Sequence, residues 1–149
     1  MKANSMVRTI VLAAFLLTSA CYGAAAQQAT DDQYADLQKD FAAAYNRKDV
    51  DGMAATFTDD AIRVTPSGMF VGREAIRRNL QDVVNLDLHD YSVERNVARS
   101  FGNFVFNAGE WQAKLGDQPL HGYYTAIVVR DGSVAKIMEE TVTIAAPGQ

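Results

Sequence analysis

The chain has a single cysteine, two histidines, three prolines and no excess of positive charge, and each shortage removes a class of protein. Cys21 alone cannot form an internal disulfide, so the core must hold the fold together. His89 and His121 have no partner ligand one helical turn or two strand positions away, so no metal site is expected. With 14 Lys plus Arg against 18 Asp plus Glu, the chain lacks the clustered positive charge of a nucleic-acid binder. No apolar run reaches the about 20 residues of a membrane-spanning helix. A Gly-x-Ser-x-Gly elbow, a phosphate-binding loop and a dinucleotide fingerprint are missing as well. Serine hydrolases, kinases and nicotinamide enzymes are thereby disfavoured, flavin and haem have no local signal, and no cofactor is expected.

What is present begins with a leader. Lys2 and Arg8 precede an apolar run from Ile10 to Leu17, and small residues ending in Ala24-Ala25-Ala26 follow. This resembles a signal peptide over residues 1–26, cleaved to leave a domain over residues 27–149 that is periplasmic or secreted and free of the membrane. Cleavage takes away two of the 14 basic residues and none of the 18 acidic ones, leaving a net charge of -6. Lipidation at Cys21 is the competing reading, disfavoured because Thr18-Ser19-Ala20 lacks the usual apolar residue three positions upstream. An apolar fraction of 48% over this length specifies one globular domain.

The hydrophobic period changes once along that domain. Tyr34, Leu37, Phe41 and Tyr45 recur at helical steps, with Thr30 and Gln33 as a capping box at the start. Asp49 caps a short second helix with Met53 and Phe57 on its inner face, ended by Asp59-Asp60. Ala61–Thr65 and Met69–Val71 flank Pro66-Ser67-Gly68 as a small hairpin. Ile76, Leu80, Val83 and Val84 mark a third helix over Arg73–Val84, on which Arg73, Arg77 and Arg78 form a solvated face. Four strands follow, Leu88–Arg99, Phe104–Leu115, Leu120–Arg130 and Ser133–Ile144, the last two joined by the Asp131-Gly132 turn. The fold class is α+β: three N-terminal helices packed on a curved, mostly antiparallel sheet.

Segments on this frame resemble the nuclear transport factor 2-like superfamily, in particular its SnoaL-like and ketosteroid isomerase-like branch. They are Ala44-Tyr45-Asn46-Arg47-Lys48-Asp49-Val50-Asp51-Gly52, Phe57-Thr58-Asp59-Asp60-Ala61, Val71-Gly72-Arg73-Glu74-Ala75-Ile76, Gly102-Asn103-Phe104-Val105 and Gly109-Glu110-Trp111. The resemblance implies a conical, barrel-like, cystatin-like fold around a pocket for a small, partly apolar molecule. It also implies a homodimer formed through the outer sheet face. Members include cofactor-independent isomerases and lyases as well as noncatalytic binding and interaction modules, so fold does not decide chemistry. The catalytic tyrosine and two aspartates of the family's steroid isomerases fall here on Phe41, Thr65 and Thr125, which carry no acid or base. Steroid isomerisation by that route is disfavoured.

Strand alternation supplies the remaining candidates. Ile137, Glu139 and Thr141 share one face of the last strand, and His121, Tyr123 and Thr125 share one face of the strand before it. If those faces line the pocket, Glu139 is the acid or base, with Tyr123 and His121 positioning the substrate. Tyr45, Phe57, Thr65, Trp111, Thr125 and Ile137 are the candidate ligand-binding residues. Glu139 and Glu140 are adjacent on a strand and point to opposite faces, which excludes a glycosidase pair. The noncatalytic reading remains the alternative, with Glu139 at an exposed rim or paired with an arginine.

Overall fold

The structure, a computed structural model, describes residues 36–131 and 133–146. The expected signal peptide, Cys21, the expected Thr30/Gln33 capping box, Tyr34 and Gly132 lie outside the described residues.

Helix α1 covers residues 36–46 and buries Leu37, Phe41, Ala44 and Tyr45, one stripe at three- and four-residue spacing. It stops at Lys48, whose φ of 58° turns the chain left-handed. The amides of Lys48 and Asp49 then bond back to Tyr45 O and Ala44 O, at 2.9 Å each. This is the paired C-terminal cap in which glycine is the usual residue. Helix α2, Val50–Ala55, is capped by the Asp49 carboxylate, which accepts from the Gly52 amide at 2.8 Å. It ends earlier than its sequence pattern suggests. Thr56 closes it, and Phe57 opens strand β1, Phe57–Thr65, so Phe57 and Asp59-Asp60 belong to a strand. The one-turn spacing of Met53 and Phe57 is genuine, but both reach the core from different elements, each fully buried.

Strand β2, Gly68–Val71, completes the hairpin, and helix α3 runs Arg73–Asn85 with Ile76, Asn79 and Leu80 buried. Two of its three arginines are tethers, and Arg78 stays exposed. Arg73 donates to Phe57 O from Nε and Nη2 at 3.0 and 2.7 Å, and Arg77 Nε meets Asp51 at 2.6 Å. Strands β3 (Leu88–Phe101), β4 (Phe104–Leu115), β5 (Gln118–Asp131) and β6 (Val134–Val142) follow. The six strands form one sheet in the order β2-β1-β6-β5-β4-β3, antiparallel throughout except that β1 runs parallel to β6. Among the described residues no helix is long and apolar enough to cross a membrane.

Four places break the pairing, one of them on β1, where Phe57 pairs with Ile137 and Ile62 with Glu139. On β3 one extra residue sits between His89 and Ser92, where Asp90 has a φ of 55°, and another between Arg95 and Val97. On β6 Met138 is the extra residue, since Val128 pairs with Ile137 and Ile127 with Glu139. Such bulges bend a strand and reset which side chains face inward.

Candidate functional site

The inner sheet face and α1 line two adjacent chambers that share Phe41, Tyr91, Tyr124 and Glu140 as walls. The outer one, about 210 Å³, is walled by Tyr45, Leu88, Trp111 and Val142 and reaches Thr65 and Pro66 in the β1–β2 turn. The inner one, about 30 Å³, lies among Val93, Asn107, Ala126, Val128 and Ile137.

Bulges and small residues shape this space. Tyr91 sits in the first irregular stretch of β3, where the Asn46 side chain donates to its carbonyl and accepts from its amide, both at 2.8 Å. That pair of hydrogen bonds holds the Tyr91 backbone, and the ring stacks on Tyr45 at 4.3 Å between centroids and meets Phe41 edge-on at 6.0 Å. A Cβ on Gly122 would stand 1.9 Å from Thr143 O and 2.7 Å from Trp111 Nε1, so only glycine leaves room for the indole. Trp111 Nε1 then donates to Thr143 O at 2.9 Å. Gly109 makes the same allowance for the Tyr124 ring, whose Cε1 lies 2.8 Å from where a Cβ would be.

The polar groups form a row across the sheet. Asn107 on β4 pairs with Ala126 on β5, Ala126 with Glu140 on β6, and Glu140 with Arg63 on β1. Arg63 Nε donates to Glu140 Oε2 at 2.7 Å and Nη1 to Asn79 Oδ1 at 2.5 Å, with the two charged side chains 8% and 10% exposed. A buried pair of this kind supplies its own countercharge. Burial pushes the Tyr45 hydroxyl up to about 12, with the Arg63 charge acting in the opposite direction. Burial also raises Tyr124 to about 12, against the pull of the hydrogen bond it receives from Gln38. Tyr91 is raised further, by burial and then by the Glu140 charge. All three are hydroxyl donors at neutral pH.

The sequence candidates divide between the two sheet faces. Tyr45, Thr65 and Trp111 line the outer chamber and Ile137 the inner one. Phe57 is a core residue packed edge-on against Phe41. Glu139, Tyr123, His121 and Thr125 stand on the opposite face. On β5 the buried set is Gly122, Tyr124, Ala126 and Val128, while Tyr123 is 51% exposed. On β6 the Met138 bulge separates Ile137 from Glu139, whose carboxylate accepts from Thr141 Oγ1 at 2.8 Å, and turns Glu140 inward. The acid able to meet a molecule in the chambers is therefore Glu140. Arg63, Tyr91, Asn107 and Tyr124 are the other members that sequence reasoning missed. Ala126 and Gly122 flanking Tyr124 gave the available signal, since small residues on a strand face mark a close approach. Among the described residues no three His, Cys, Asp or Glu side chains converge as a metal site would require.

Solved structures share this architecture at low sequence identity. An NTF-2-like protein of unknown function from Shewanella oneidensis is 14% identical, with a TM-score of 0.70 over 76% of this chain and 98% of its own. A ketosteroid isomerase-like protein from Erwinia carotovora atroseptica is 15% identical, with a TM-score of 0.66 over 75% of this chain and 93% of its own. A protein of unknown function with a cystatin-like fold from Nostoc punctiforme is 10% identical, with a TM-score of 0.70 over 78% and 92%. These likenesses bear on the fold alone. No curated protein matches the chain. The SnoaL-like domain family matches residues 39–137, most of the described domain, and with the helices, the mixed sheet and the two chambers already in place the chain belongs to that family within the nuclear transport factor 2-like superfamily.

Proposed function

We propose that this chain binds a small, partly apolar molecule in the two chambers, and that Glu140 is the group able to move a proton on it. The observation that carries the reading is the composition of the chambers. Apolar and aromatic walls converge on one carboxylate among the described lining residues, with tyrosine hydroxyls around it. Apolar area binds the body of the ligand, and the convergent polar groups orient it. As an enzyme the chain is a cofactor-independent isomerase or lyase in which Glu140 takes or returns the proton and Tyr91 or Tyr124 holds an oxygen. Native mass spectrometry of the purified protein is the first test. A bound small molecule that disappears in Trp111→Ala supports the pocket, and an empty native protein that saturates with no small aromatic compound removes it. Glu140→Gln then abolishes turnover of the identified molecule.

One observation favours the noncatalytic alternative. Arg63 already balances Glu140, so the site is electrically complete as a binding cavity. On that reading Glu140→Gln changes affinity only. We further propose that residues 1–26 are a cleaved leader and that the domain is periplasmic or secreted, a reading supported by the Lys2/Arg8, apolar-run and Ala24-Ala25-Ala26 pattern and tested by an intact mass beginning at Gln27. The outer sheet face, with Phe101 52% and Val97 38% exposed beside Phe104 and Phe106, is the surface for a second copy of the chain. Sedimentation of Phe101→Glu as a monomer, against a dimeric parent, tests it.

A further inference from the structure

Asn107 is 2% exposed, lines the inner chamber, and its Oδ1 has no hydrogen-bond donor. Buried acceptors are almost always satisfied, and leaving one bare is costly enough that the exception calls for a partner. The sheet register says where that partner would sit. Asn107 and Glu140 are both cross-strand neighbours of Ala126, one on each side. Strands lie about 4.8 Å apart, so the two acceptors flank a gap of about 10 Å between backbones that the methyl group of Ala126 does not fill. The inner chamber occupies that gap. It has acceptors on both flanks and adjoins the outer chamber, with Phe41, Tyr91, Tyr124 and Glu140 lining both.

We propose that the inner chamber selects a ligand bearing a hydroxyl group, seated above Ala126 and donating its proton to Asn107 Oδ1. The inference rests on the binding role of the chambers and adds the class of head group they accept. A hydroxyl fits on three counts. It is a donor, which Asn107 lacks. It is uncharged, and the Arg63–Glu140 pair leaves no net charge to hold an ammonium group. Its oxygen can also accept from Tyr124, whose hydroxyl takes a bond from Gln38 and keeps its own proton to give. The apolar remainder of the ligand then extends past Phe41 and Tyr91 into the outer chamber. A ketone of the same shape offers no donor and leaves Asn107 Oδ1 bare.

The test is a matched pair of probes, 1-phenylethanol and acetophenone, titrated into the full-length mature protein by calorimetry with chemical-shift mapping. The alcohol is expected to bind at least about tenfold more tightly, the ratio that one satisfied buried acceptor supports. Asn107→Leu should erase the preference while both probes still bind, and Asn107→Asp, which keeps an acceptor there, should retain it. The Asp variant carries the test if the Leu variant fails to fold. Equal affinities, or tighter binding of the ketone, overturn the hydroxyl assignment while leaving the pocket intact. A preference that survives in Asn107→Leu overturns the role of Asn107. Binding of neither probe, with no shift changes at the chamber residues, removes the pocket itself and the inference with it.

Discussion

Breaking the Arg63–Glu140 pair from one side is expected to be far more damaging than removing it whole. Both side chains are at least nine-tenths buried and joined at 2.7 Å. Replacing Glu140 by Leu leaves the Arg63 guanidinium buried with Asn79 as its remaining bonded partner, a loss of about 3–5 kcal/mol for an uncompensated internal charge. Against a total stability of about 5–15 kcal/mol this is a large fraction, and it lowers Tm by roughly 10 °C or more for a domain of this size. The double variant Arg63→Met, Glu140→Leu has no stranded charge. Its residual cost is the Asn79 Oδ1 left without its guanidinium donor, about 1–3 kcal/mol. Urea unfolding of the parent, the two single variants and the double variant closes the cycle, with slopes compared to confirm that the same surface unfolds. The expected signature is a double variant more stable than the Glu140→Leu single. Additive losses, or a Glu140→Leu cost below about 1 kcal/mol, would refute the description of this pair as a buried, mutually dependent unit.

Gly122→Ala should destabilise by about 1–3 kcal/mol, because the added methyl meets Thr143 O and the indole at sub-contact distances, and Trp111 emission should shift as the ring is displaced. The chain has one tryptophan, so that signal is unmixed. Stability should fall as pH rises from about 10 towards about 12. Tyr45 and Tyr124 keep their protons in the folded state up to about 12 but release them near 10.0 when unfolded, so the contribution is complete below pH 10 and lost through the higher value. Ionisation of Tyr45 or Tyr124, followed ring by ring by NMR, well before unfolding would contradict this. Lys48→Gly should stabilise by up to about 1 kcal/mol, since glycine adopts a φ of 58° without a Cβ penalty. The gain is reduced by loss of the exposed Lys48–Asp87 ion pair and is read from the urea midpoint.

How far the sequence discloses the fold and the site differs by element. Helix α1, the Asp49 cap and the four long strands follow from periodicity and capping chemistry, because each is a local property of ten or so residues. Phe57 was misplaced because helical spacing to Met53 is also what two consecutive elements produce when both face one core. Alternation on β5 separated His121, Tyr123 and Thr125 from Gly122, Tyr124 and Ala126 correctly, yet period two gives parity and not sign. Which set is inward depends on what packs against the sheet. Glu139 fails for another reason: Met138 is an unpaired residue, and no feature of Ile137-Met138-Glu139-Glu140 marks it. Bulges arise from the register of both neighbours, and β6 answers to β1 and β5 at once.

That double allegiance also sets a timetable. Of the six described strands β6 is the last to leave the ribosome, and it joins β1 to the rest of the sheet. Until it arrives, the β1–β2 hairpin and the β3–β4–β5 meander are separate pieces with open edges. Arg63 waits 77 residues for its carboxylate. Contacts of such sequence separation slow folding, because a long loop must close before anything is gained. A chain cut short before Val134 should have neither a continuous sheet nor a closed cavity, and the interval before β6 docks is when this domain is most exposed to edge-to-edge aggregation.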